Sequence, residues 1–347
     1  MNYTLENVRA AFEKLGGLSI PMVHIAGSKG KGTVATLLAK IIELHGERVG
    51  LFTSPFIEDE CEMVAVNGVN ISSEDFERLK EKIVEIGPLL SVFEVQTLAA
   101  YEYFKEQNCE LLVVECGLGG LHDATNVATQ KALSILTHVE LEHQEQLGDT
   151  LGEITRQKLG ICRKGVPLMT GVQQVPEVFA EIEHSGYEVQ IAPAFELGNH
   201  HPESVGLAAS AADFLGYSMD SVIEEKLAHL LLPGRFEVAK RGSQVVILDG
   251  AHTYDSVQFV LEQVQDFTRR EKLPEPHFGI HFLKDKNPDL WRLFPRQRSH
   301  WIELHDERAG LQPPDLSSAS IPELLKEVPF VVFVGSFRLM KAVRQVL

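Results

Sequence analysis

Short apolar runs alternate with amphipathic runs along most of the chain, which predicts a parallel sheet covered by helices. The run "PMVHIAG" at residues 21–27 is apolar almost throughout, as buried parallel strands are. The run "TVATLLAKIIELHG" at 33–46 places its apolar side chains on one helical face, and Gly46 marks its end. Similar reasoning predicts strands at "RVGLFTSP", "CELLVVECG", "ALSILTHVE" and "VPLMTG", and helices at "SSEDFERLKEKIVEIG", "FEVQTLAAYEYFKEQ" and "LGDTLGEITRQKLGICRKG". We therefore predict a doubly wound parallel α/β sheet.

The alternation weakens over residues 172–232 and then restarts. "HPESVGLAASAADFLG" is the clearest helix of the weak stretch, and Pro233 and Gly234 then interrupt regular structure in "LLPGRFEV". Beyond them, strands are predicted at "SQVVILDG", "PHFGIHFL", "HWIELHD" and "PFVVFVG", and helices at "YDSVQFVLEQVQDFTRR" and "SFRLMKAVRQVL". The resulting prediction is a large domain, a hinge and a smaller Rossmann-like α/β domain, over residues 1–232, 233–238 and 239–347.

Composition restricts the kinds of partner. The 347 residues carry a formal net charge of −17, which opposes binding to nucleic acid or to an anionic membrane. The four cysteines form no CxxC pair, so we expect neither a zinc site nor a disulfide framework. The first residues, "MNYTLENVRAAFEKLGG", lack the apolar core of a signal peptide, and no long apolar run follows. We therefore expect a cytoplasmic protein.

A glycine-rich loop, "GSKGKGT" at 27–33, joins the first predicted strand to its helix. Glycines allow backbone N–H groups to approach an anion, lysines add positive charge, and a helix N-terminus attracts negative charge. This context predicts phosphate binding, with Lys31 on the β- and γ-phosphates and Thr33 on a phosphate or a metal ion. The spacing differs from the usual P-loop, and a merely flexible turn is the alternative.

Two further stretches place acidic and imidazole groups at strand ends, where open α/β sheets bind ligands. Glu115 ends a buried strand in "VVECGLGGLHDATN" and could face a triphosphate through Mg²⁺. His143 follows another strand in "VELEHQEQLGDT" and could bind a second metal ion or donate to a phosphate. The alternatives are a solvated glutamate and a structural histidine.

The remaining candidates are single residues. Lys158, in "ITRQKLGI", would ordinarily be a surface cation. In the smaller domain, Asp249 and His252 end the strand of "VVILDGAH", where Asp249 could accept from a ribose hydroxyl or orient an ammonium group. Arg235, in the predicted hinge, could meet phosphates when the domains close, or could be a surface arginine of a linker.

Taken in order, these stretches resemble the folylpolyglutamate synthase and dihydrofolate synthase family of the Mur ligase superfamily. The resemblance covers nearly the whole chain, although the chain looks like a shortened and divergent member. It is carried by "HIAGSKGKGT", "RVGLFTSPFI", "FEVQTLAAYEYF", "VVECGLGGLHDATN", "LEHQEQLGDTLGEITRQKLGI", "GVPLMTG", "LPGRFE", "ILDGAH" and "VGS".

The resemblance implies an ATP-dependent amide ligase that adds L-glutamate to a folate-like acceptor. ATP would phosphorylate a carboxylate, and the amine of glutamate would then attack the acyl phosphate. Such a reaction needs charge neutralisation and exclusion of water. The resemblance also implies ATP and two Mg²⁺ ions as cofactors, K⁺ as a further candidate, an ATP-binding domain before the hinge, a glutamate-ligase domain after it, and a monomer.

The resemblance assigns roles residue by residue. The phosphate loop would be Gly27, Ser28, Lys29, Gly30, Lys31, Gly32 and Thr33. The metal ligands would be Ser54, Glu115 and His143. Lys158 would match a carbamylated lysine, and Arg235, Asp249 and His252 would contact the nucleotide. Lys31, Lys158, His143 and Asp249 would act in catalysis.

Differences from the family pattern lie near the acceptor and the adenine. Thr253 replaces a usual asparagine, His201 and Ser204 replace glutamine and asparagine, and "FIEDECEMVAVNG" lacks an arginine. Several dozen residues usual before "ELGNHH" are also missing. The alternatives are therefore a ligase for another carboxylate or amino acid, a catalytically weak nucleotide-binding relative, and a P-loop kinase, against which the second α/β domain argues.

Overall fold

The computed structural model divides the chain into two compact units, Met1–His229 and Leu230–Leu347, each built around one sheet. It describes residues 4–284, 286–287, 289–304 and 308–347. The end of the predicted strand "HWIELHD" lies outside the described residues.

The first unit contains an eight-stranded sheet in the order β4-β3-β2-β5-β1-β6-β7-β8. The six strands from β2 to β8 in this order pair in parallel, and the short β3–β4 hairpin closes the other edge in antiparallel fashion. The strands are β1 Met22–Ala26, β2 Val49–Phe52, β3 Val64–Val66, β4 Val69–Asn70, β5 Leu111–Glu115, β6 Lys131–Leu136, β7 Leu168–Gly171 and β8 Val189–Ala192.

Nine helices accompany this sheet in the described part of the first unit. They are α1 Glu6–Lys14, α2 Lys31–Leu44, α3 Ser73–Ile86, α4 Val92–Glu106, α5 Gln144–Leu147, α6 Leu151–Leu159, α7 Pro176–His184, α8 Pro202–Phe214 and α9 Ser221–Ala228. Short 3-10 helices lie at Glu60–Met63 and Ala124–Val127.

The helices that the sequence pattern predicts are present, and α1, α5, α7, α9 and α11 form in addition to them. In α2, the residues expected on the buried face (Val34, Leu37, Leu38, Ile41 and Ile42) are at most 1% exposed. In α4, Ser91 and Glu94 form a capping box, which satisfies N–H groups at the start of the helix. Helix α6 is shorter than the predicted run because Gly160 caps it after Leu159.

The second unit contains a six-stranded sheet in the order β13-β12-β11-β14-β10-β9, parallel except for β9. Its core is formed by β10, β11 and β14 together with α10 and α12. The strands are β9 Glu237–Arg241, β10 Gln244–Asp249, β11 His277–Ile280, β12 Ser299–Ile302, β13 Ser317–Ala319 and β14 Phe330–Val334. The helices are α10 Tyr254–Glu271, α11 Ile321–Glu327 and α12 Phe337–Arg344, with 3-10 helices at Leu290–Leu293 and Arg296–Arg298.

The predicted fold class is confirmed: a doubly wound, parallel-rich α/β unit precedes a smaller α/β unit. The weak stretch after residue 172 is more regular than its pattern indicated, since it contains α7, β8 and α9 as well as α8. All four cysteines are free. Among the helices of the described residues, none combines the length and the apolar character needed to cross a membrane.

Candidate functional site

The first sheet changes winding direction at β1, and this point defines the candidate site. Strands β5 and β6 flank β1 on either side, with Ile25 opposite Glu115 and Ala26 opposite Leu136. The chain segments that follow β1, β5 and β6 therefore leave the sheet at the same edge. Open α/β sheets bind ligands in the crevice beyond such an edge, where the connections diverge.

Two glycines of the loop after β1 are required by geometry. Gly27 has φ +147°, and a Cβ atom there would lie 1.9 Å from Thr137 Oγ1. Gly30 has φ +84° and is the N-cap of α2, where a Cβ atom would meet Ser204 Oγ at 2.9 Å. A side chain at either position would displace the loop, so the glycines set its close approach to β6 and to α8.

The loop is bound to the segment that follows β6. The N–H groups of Ser28 and Lys29 both donate to the carbonyl oxygen of His138, at 2.8 and 3.1 Å. Ser28 Oγ accepts from the N–H of Glu140 at 2.9 Å. Lys31 Nζ lies over the loop and donates to Gly27 O at 3.1 Å. The loop is thus held in one shape with an ammonium group at its centre.

The start of α2 leaves N–H groups for a ligand. Lys31, Gly32 and Thr33 form its first turn, and the first N–H groups of a helix have no acceptor within the helix. Neither a side-chain cap nor an acidic residue is present in this turn. The partial positive charge of the helix end is therefore not neutralised locally, as an anion site requires.

Glu115 and Ser54 are brought together beside this loop. Glu115 is the last residue of β5 and is only 3% exposed. Its Oε2 accepts from the N–H of Ser54 at 3.1 Å, and Ser54 lies just beyond β2, before a cis Pro55. A buried carboxylate and a hydroxyl residue in contact at a phosphate-loop edge are hard oxygen donors, which suit Mg²⁺.

Lys158 is buried at the site and is not a surface cation. Its side chain is 1% exposed, and Nζ donates to Gly27 O and to Glu142 Oε1, both at 2.9 Å. Burial lowers the pKa of Lys158, Glu142 opposes that shift, and Lys31 adds to it. Burial alone would raise the pKa of Glu142, but the charges of Lys158, Lys31 and Lys29 hold it at about 2.

His143 lies at the end of the segment that follows β6, directly after Glu142, and it is exposed at the start of α5. Its backbone has φ +48° and ψ +40°, which is uncommon for a residue with a side chain. Such strain is frequent at functional sites, where surrounding contacts enforce it. The backbone oxygen of His143 accepts from Gln146 and Leu147, which fixes the turn.

The sequence analysis missed Glu142 and His138. Glu142 lies among several acids in "VELEHQEQ", and only the docking of α6 shows which one meets Lys158. His138 acts through its backbone oxygen, so its side-chain type gives no signal.

In the second unit, Asp249 ends β10 and binds backbone N–H groups. Its two carboxylate oxygens accept from Phe236 and Ala251, at 2.7 and 2.8 Å. Burial raises the pKa of Asp249 to about 6, although these two N–H groups and Arg235 act against the rise. The carboxylate thus ties residues of the predicted hinge to the end of β10.

Arg235 lies in the turn before β9, and His252 lies between the end of β10 and α10. The guanidinium of Arg235 is 5.6 Å from the ring centre of Phe337, a distance suited to a cation–π contact. His252 Nδ1 donates to Gly250 O at 2.7 Å. Residues 237 and 238 of the predicted hinge already pair with β10 as part of β9. The hinge itself stays a prediction.

Comparison with known proteins decides the family. The chain is 33% identical over 286 residues to folylpolyglutamate synthase of Arabidopsis thaliana, covering 70% of this chain and 50% of that protein. It is 28% identical over 314 residues to the dihydrofolate synthase/folylpolyglutamate synthase of Bacillus subtilis, covering 76% of this chain and 71% of that protein. The chain belongs to the folylpolyglutamate synthase and dihydrofolate synthase family. It spans about half the length of the Arabidopsis relative. No protein-family model matches the chain.

Solved structures of this family share the fold. FolC of E. coli, in complex with DHPP and ADP, superposes with a TM-score of 0.87 at 22% identity, covering 100% of this chain and 93% of that one. The bifunctional enzyme of Yersinia pestis, complexed with AMPPNP and Mn ion, gives 0.85 at 23% identity, covering 100% and 94%. Such identities establish the fold.

Proposed function

We propose that the protein is an ATP-dependent amide ligase that joins L-glutamate to the carboxylate of a folate. The observation that carries this proposal is the charged edge after β1, β5 and β6. There Lys31 and Lys158 bind the glycine loop, Glu142 pairs with Lys158, and Glu115 ends the adjacent strand β5. Family relatives that share this fold have been obtained with ADP and DHPP, and with AMPPNP and Mn ion.

The phosphates of ATP are assigned to the loop from Gly27 to Thr33. The open N–H groups of the first turn of α2 and the ammonium of Lys31 would bind the β- and γ-phosphates. The N–H groups of Ser28 and Lys29 donate to His138 O. These residues would therefore contribute to phosphate binding through the shape of the loop and through the charge of Lys29.

Mg²⁺ is assigned to Ser54, Glu115 and His143. The contact between Ser54 and the buried Glu115 carboxylate fits a hard cation next to a triphosphate. When bound, the ions would neutralise phosphate charge during transfer. We expect metal analysis of the purified protein with bound nucleotide to find two Mg²⁺ ions, with K⁺ as a further candidate.

Lys158 is assigned a supporting role at the same place, as a carbamate. Its lowered pKa increases the share of neutral amine, which is the form that adds CO₂ and releases a proton. The unmodified amine donates to Gly27 O and to Glu142. Modification would replace both hydrogen bonds, and the new carboxylate would lie beside Glu142, so a cation between them is required.

The second unit is assigned a share of nucleotide and amine binding. Arg235 and His252 would make these contacts at the turn before β9 and the end of β10, the ligand-binding end of a parallel sheet. Asp249 would hold that turn in place through the two N–H groups that it accepts. We propose the ATP-binding domain over 1–232, the hinge over 233–238 and the glutamate-ligase domain over 239–347.

The proposed reaction balances in two steps. An acceptor carboxylate oxygen attacks the γ-phosphorus, the bond to the β-phosphate oxygen breaks, and ADP leaves. The neutral amine of glutamate then attacks the acyl carbon, phosphate leaves, and the amine nitrogen loses a proton. Lys31 would stabilise charge that builds on the transferred phosphoryl group.

The test is ADP release by the purified chain with Mg²⁺ and ATP. Release is expected only when glutamate and a pterin acceptor (dihydropteroate or tetrahydrofolate) are both present. ADP release that ignores both, or ATP binding without release, would contradict the proposal, and the second outcome is what a catalytically weak nucleotide-binding relative would give.

A different carboxylate acceptor is the second candidate. The turn that follows Ser54 carries Glu58, Asp59, Glu60 and Glu62 but no cation before β3. Lys80 pairs with Glu60, but the turn still carries an excess of negative charge, which would disfavour an anionic glutamate tail. If pterins fail while other carboxylates drive ADP release, this candidate replaces the folate.

A further inference from the structure

The buried side chain of Gln174 contacts the segment that holds the glycine loop. Gln174 is 6% exposed and follows β7. Its Nε2 donates to Thr137 O at 2.8 Å and to Thr170 Oγ1 at 3.1 Å, and its Oε1 accepts from the N–H of Val139 at 3.1 Å. One amide group therefore binds the backbone on both sides of His138.

His138 is the residue on which the loop depends. Its carbonyl oxygen accepts from the N–H groups of Ser28 and Lys29. The direction of that carbonyl is set by the two peptide units around it, and these are the units that Gln174 binds. If Thr137 O and Val139 N–H lost their partner, two buried polar groups would be left unsatisfied, and the segment would shift to recover hydrogen bonds.

We propose that Gln174 is a positioning residue for nucleotide binding, which acts through His138 on the glycine loop. This inference rests on the proposed function, because it assigns the loop to ATP phosphates. Within the described residues, the hydrogen bonds of the Gln174 side chain go to Thr137, Val139 and Thr170, and none goes to the glycine loop itself. Gln174 orients the backbone oxygen of His138. That oxygen in turn fixes the N–H groups of Ser28 and Lys29, which lie in the turn assigned to the phosphates.

The neighbouring Gln173 provides a matched control. The two glutamines are adjacent in "VQQV", but the side chain of Gln173 is exposed. The backbone N–H of Gln173 donates to Glu203, a contact that substitution of the side chain leaves in place. Gln173→Leu and Gln174→Leu therefore make the same chemical change in one turn. The first changes an exposed side chain and the second a buried one.

The experiment measures two properties of the full-length variants. The first is the dissociation constant for ADP with Mg²⁺, which does not depend on the identity of the acceptor. The second is amide hydrogen exchange at Ser28 and Lys29 without nucleotide. For Gln174→Leu we expect about tenfold weaker ADP binding and faster exchange at both amides. Gln173→Leu should match the wild type in both.

A third variant separates positioning from general loss of stability. In Gln174→Glu, one oxygen still accepts from Val139, but an ionised carboxylate repels Thr137 O, whereas the protonated form donates to it. Burial favours the protonated form. The affinity of Gln174→Glu for ADP, expressed relative to wild type at the same pH, should therefore be higher at about pH 5.5 than at about pH 8. A variant whose defect does not depend on this carboxyl would show no such recovery.

The outcomes are distinct. If Gln174→Leu binds ADP and exchanges its loop amides like Gln173→Leu, the positioning role is wrong, while the proposed function stands. If the wild type binds no adenine nucleotide, the proposed function fails. The role of Gln174 in nucleotide binding then fails as well, and the exchange data decide only whether Gln174 positions the loop. That positioning is overturned if Ser28 and Lys29 exchange equally in both leucine variants.

Discussion

The ligand-binding edges of the two sheets use their charged residues differently. At the first edge, β1 has parallel neighbours on both sides, and the charges of Lys31, Lys158 and Glu142 converge on one loop. At the second edge, β10 has a parallel and an antiparallel neighbour, and Asp249 binds two backbone N–H groups. Charge is concentrated around one loop in the first case, and it stabilises a turn in the second.

This difference favours the first edge as the place of the proposed chemistry. Burying several charges together is costly, and folds retain such clusters where a ligand or a reaction uses them. A single carboxylate that accepts two N–H groups is a common structural device. We therefore expect substitutions at the first edge to affect turnover more than stability, and substitutions at Asp249 to do the reverse.

The largest effect is expected for Lys31→Ala. Loss of the ammonium above Gly27 O removes positive charge from the phosphate site, and ADP release should fall by about 100-fold or more. Steady-state ADP release at saturating ATP is the measurement. Lys40→Ala, on the same helix but paired with Glu43 at the surface, is the control and should keep near wild-type activity. Equal activity of both variants would contradict a phosphate role for Lys31.

The next effect is expected for Gly27→Ala. The new Cβ atom would overlap Thr137 Oγ1, and φ +147° is unfavourable for alanine, so the loop must move. ADP binding should weaken by at least about tenfold. Gly46→Ala, at φ +94° with open space around it, is the control, since it is strained but meets no neighbour. Only Gly27→Ala should weaken ADP binding. An unchanged affinity in that variant would show that nucleotide binding does not need this loop shape.

A smaller effect is expected for Glu142→Gln, which sharpens the role of Lys158. The pKa of Lys158 should fall further without its anionic partner, which favours the carbamate. The cation between the carbamate and residue 142 would, however, lose one of its two carboxylates, so turnover should drop about tenfold. Intact-mass analysis with and without bicarbonate reports on carbamylation. Adding short amines or short carboxylates to Lys158→Ala then shows which group is missing. Rescue by carboxylates supports the carbamate, and rescue by amines supports the ammonium.

The smallest effect on turnover, and the clearest on stability, is expected for Asp249→Asn. One of the two N–H groups loses its acceptor, which should lower the unfolding free energy of the second unit by about 1–3 kcal/mol. Both tryptophans, Trp291 and Trp301, lie in the second unit, so their fluorescence reports its unfolding.

The pH dependence at Asp249 follows from its raised pKa. The folded carboxyl titrates at about 6 and the ordinary value is 3.8, so the folded state binds more protons between these values. This group therefore makes the second unit less stable as pH rises from 3.8 to about 6. Asp249→Asn should lose this slope. A slope that persists in the variant would assign it to other groups.

The sequence pattern predicted the strands that position both edges, because buried parallel strands are continuous apolar runs. It missed β3, β4, β8, β9 and β13. All five are short, and all except the buried β3 are at least partly exposed, so they lack that signal. The glycine loop and Glu115 were visible from their place after apolar runs. The Lys158–Glu142 pair was not, because it forms only when α6 docks beside the segment after β6. The hydrogen bonds that Asp249 accepts could not be predicted either. One of their donors is Phe236, which comes close to Asp249 only in the folded chain.

The most direct test of the central claim is the transfer of oxygen from acceptor to phosphate. A folate acceptor labelled with ¹⁸O in its reacting carboxylate would be incubated with ATP, Mg²⁺ and glutamate, and the released phosphate analysed by mass spectrometry. An acyl-phosphate ligase leaves one labelled oxygen in each phosphate formed. Unlabelled phosphate released at the same rate would mean that ATP is hydrolysed without activating the carboxylate, and the assignment of this edge to ligation would be wrong.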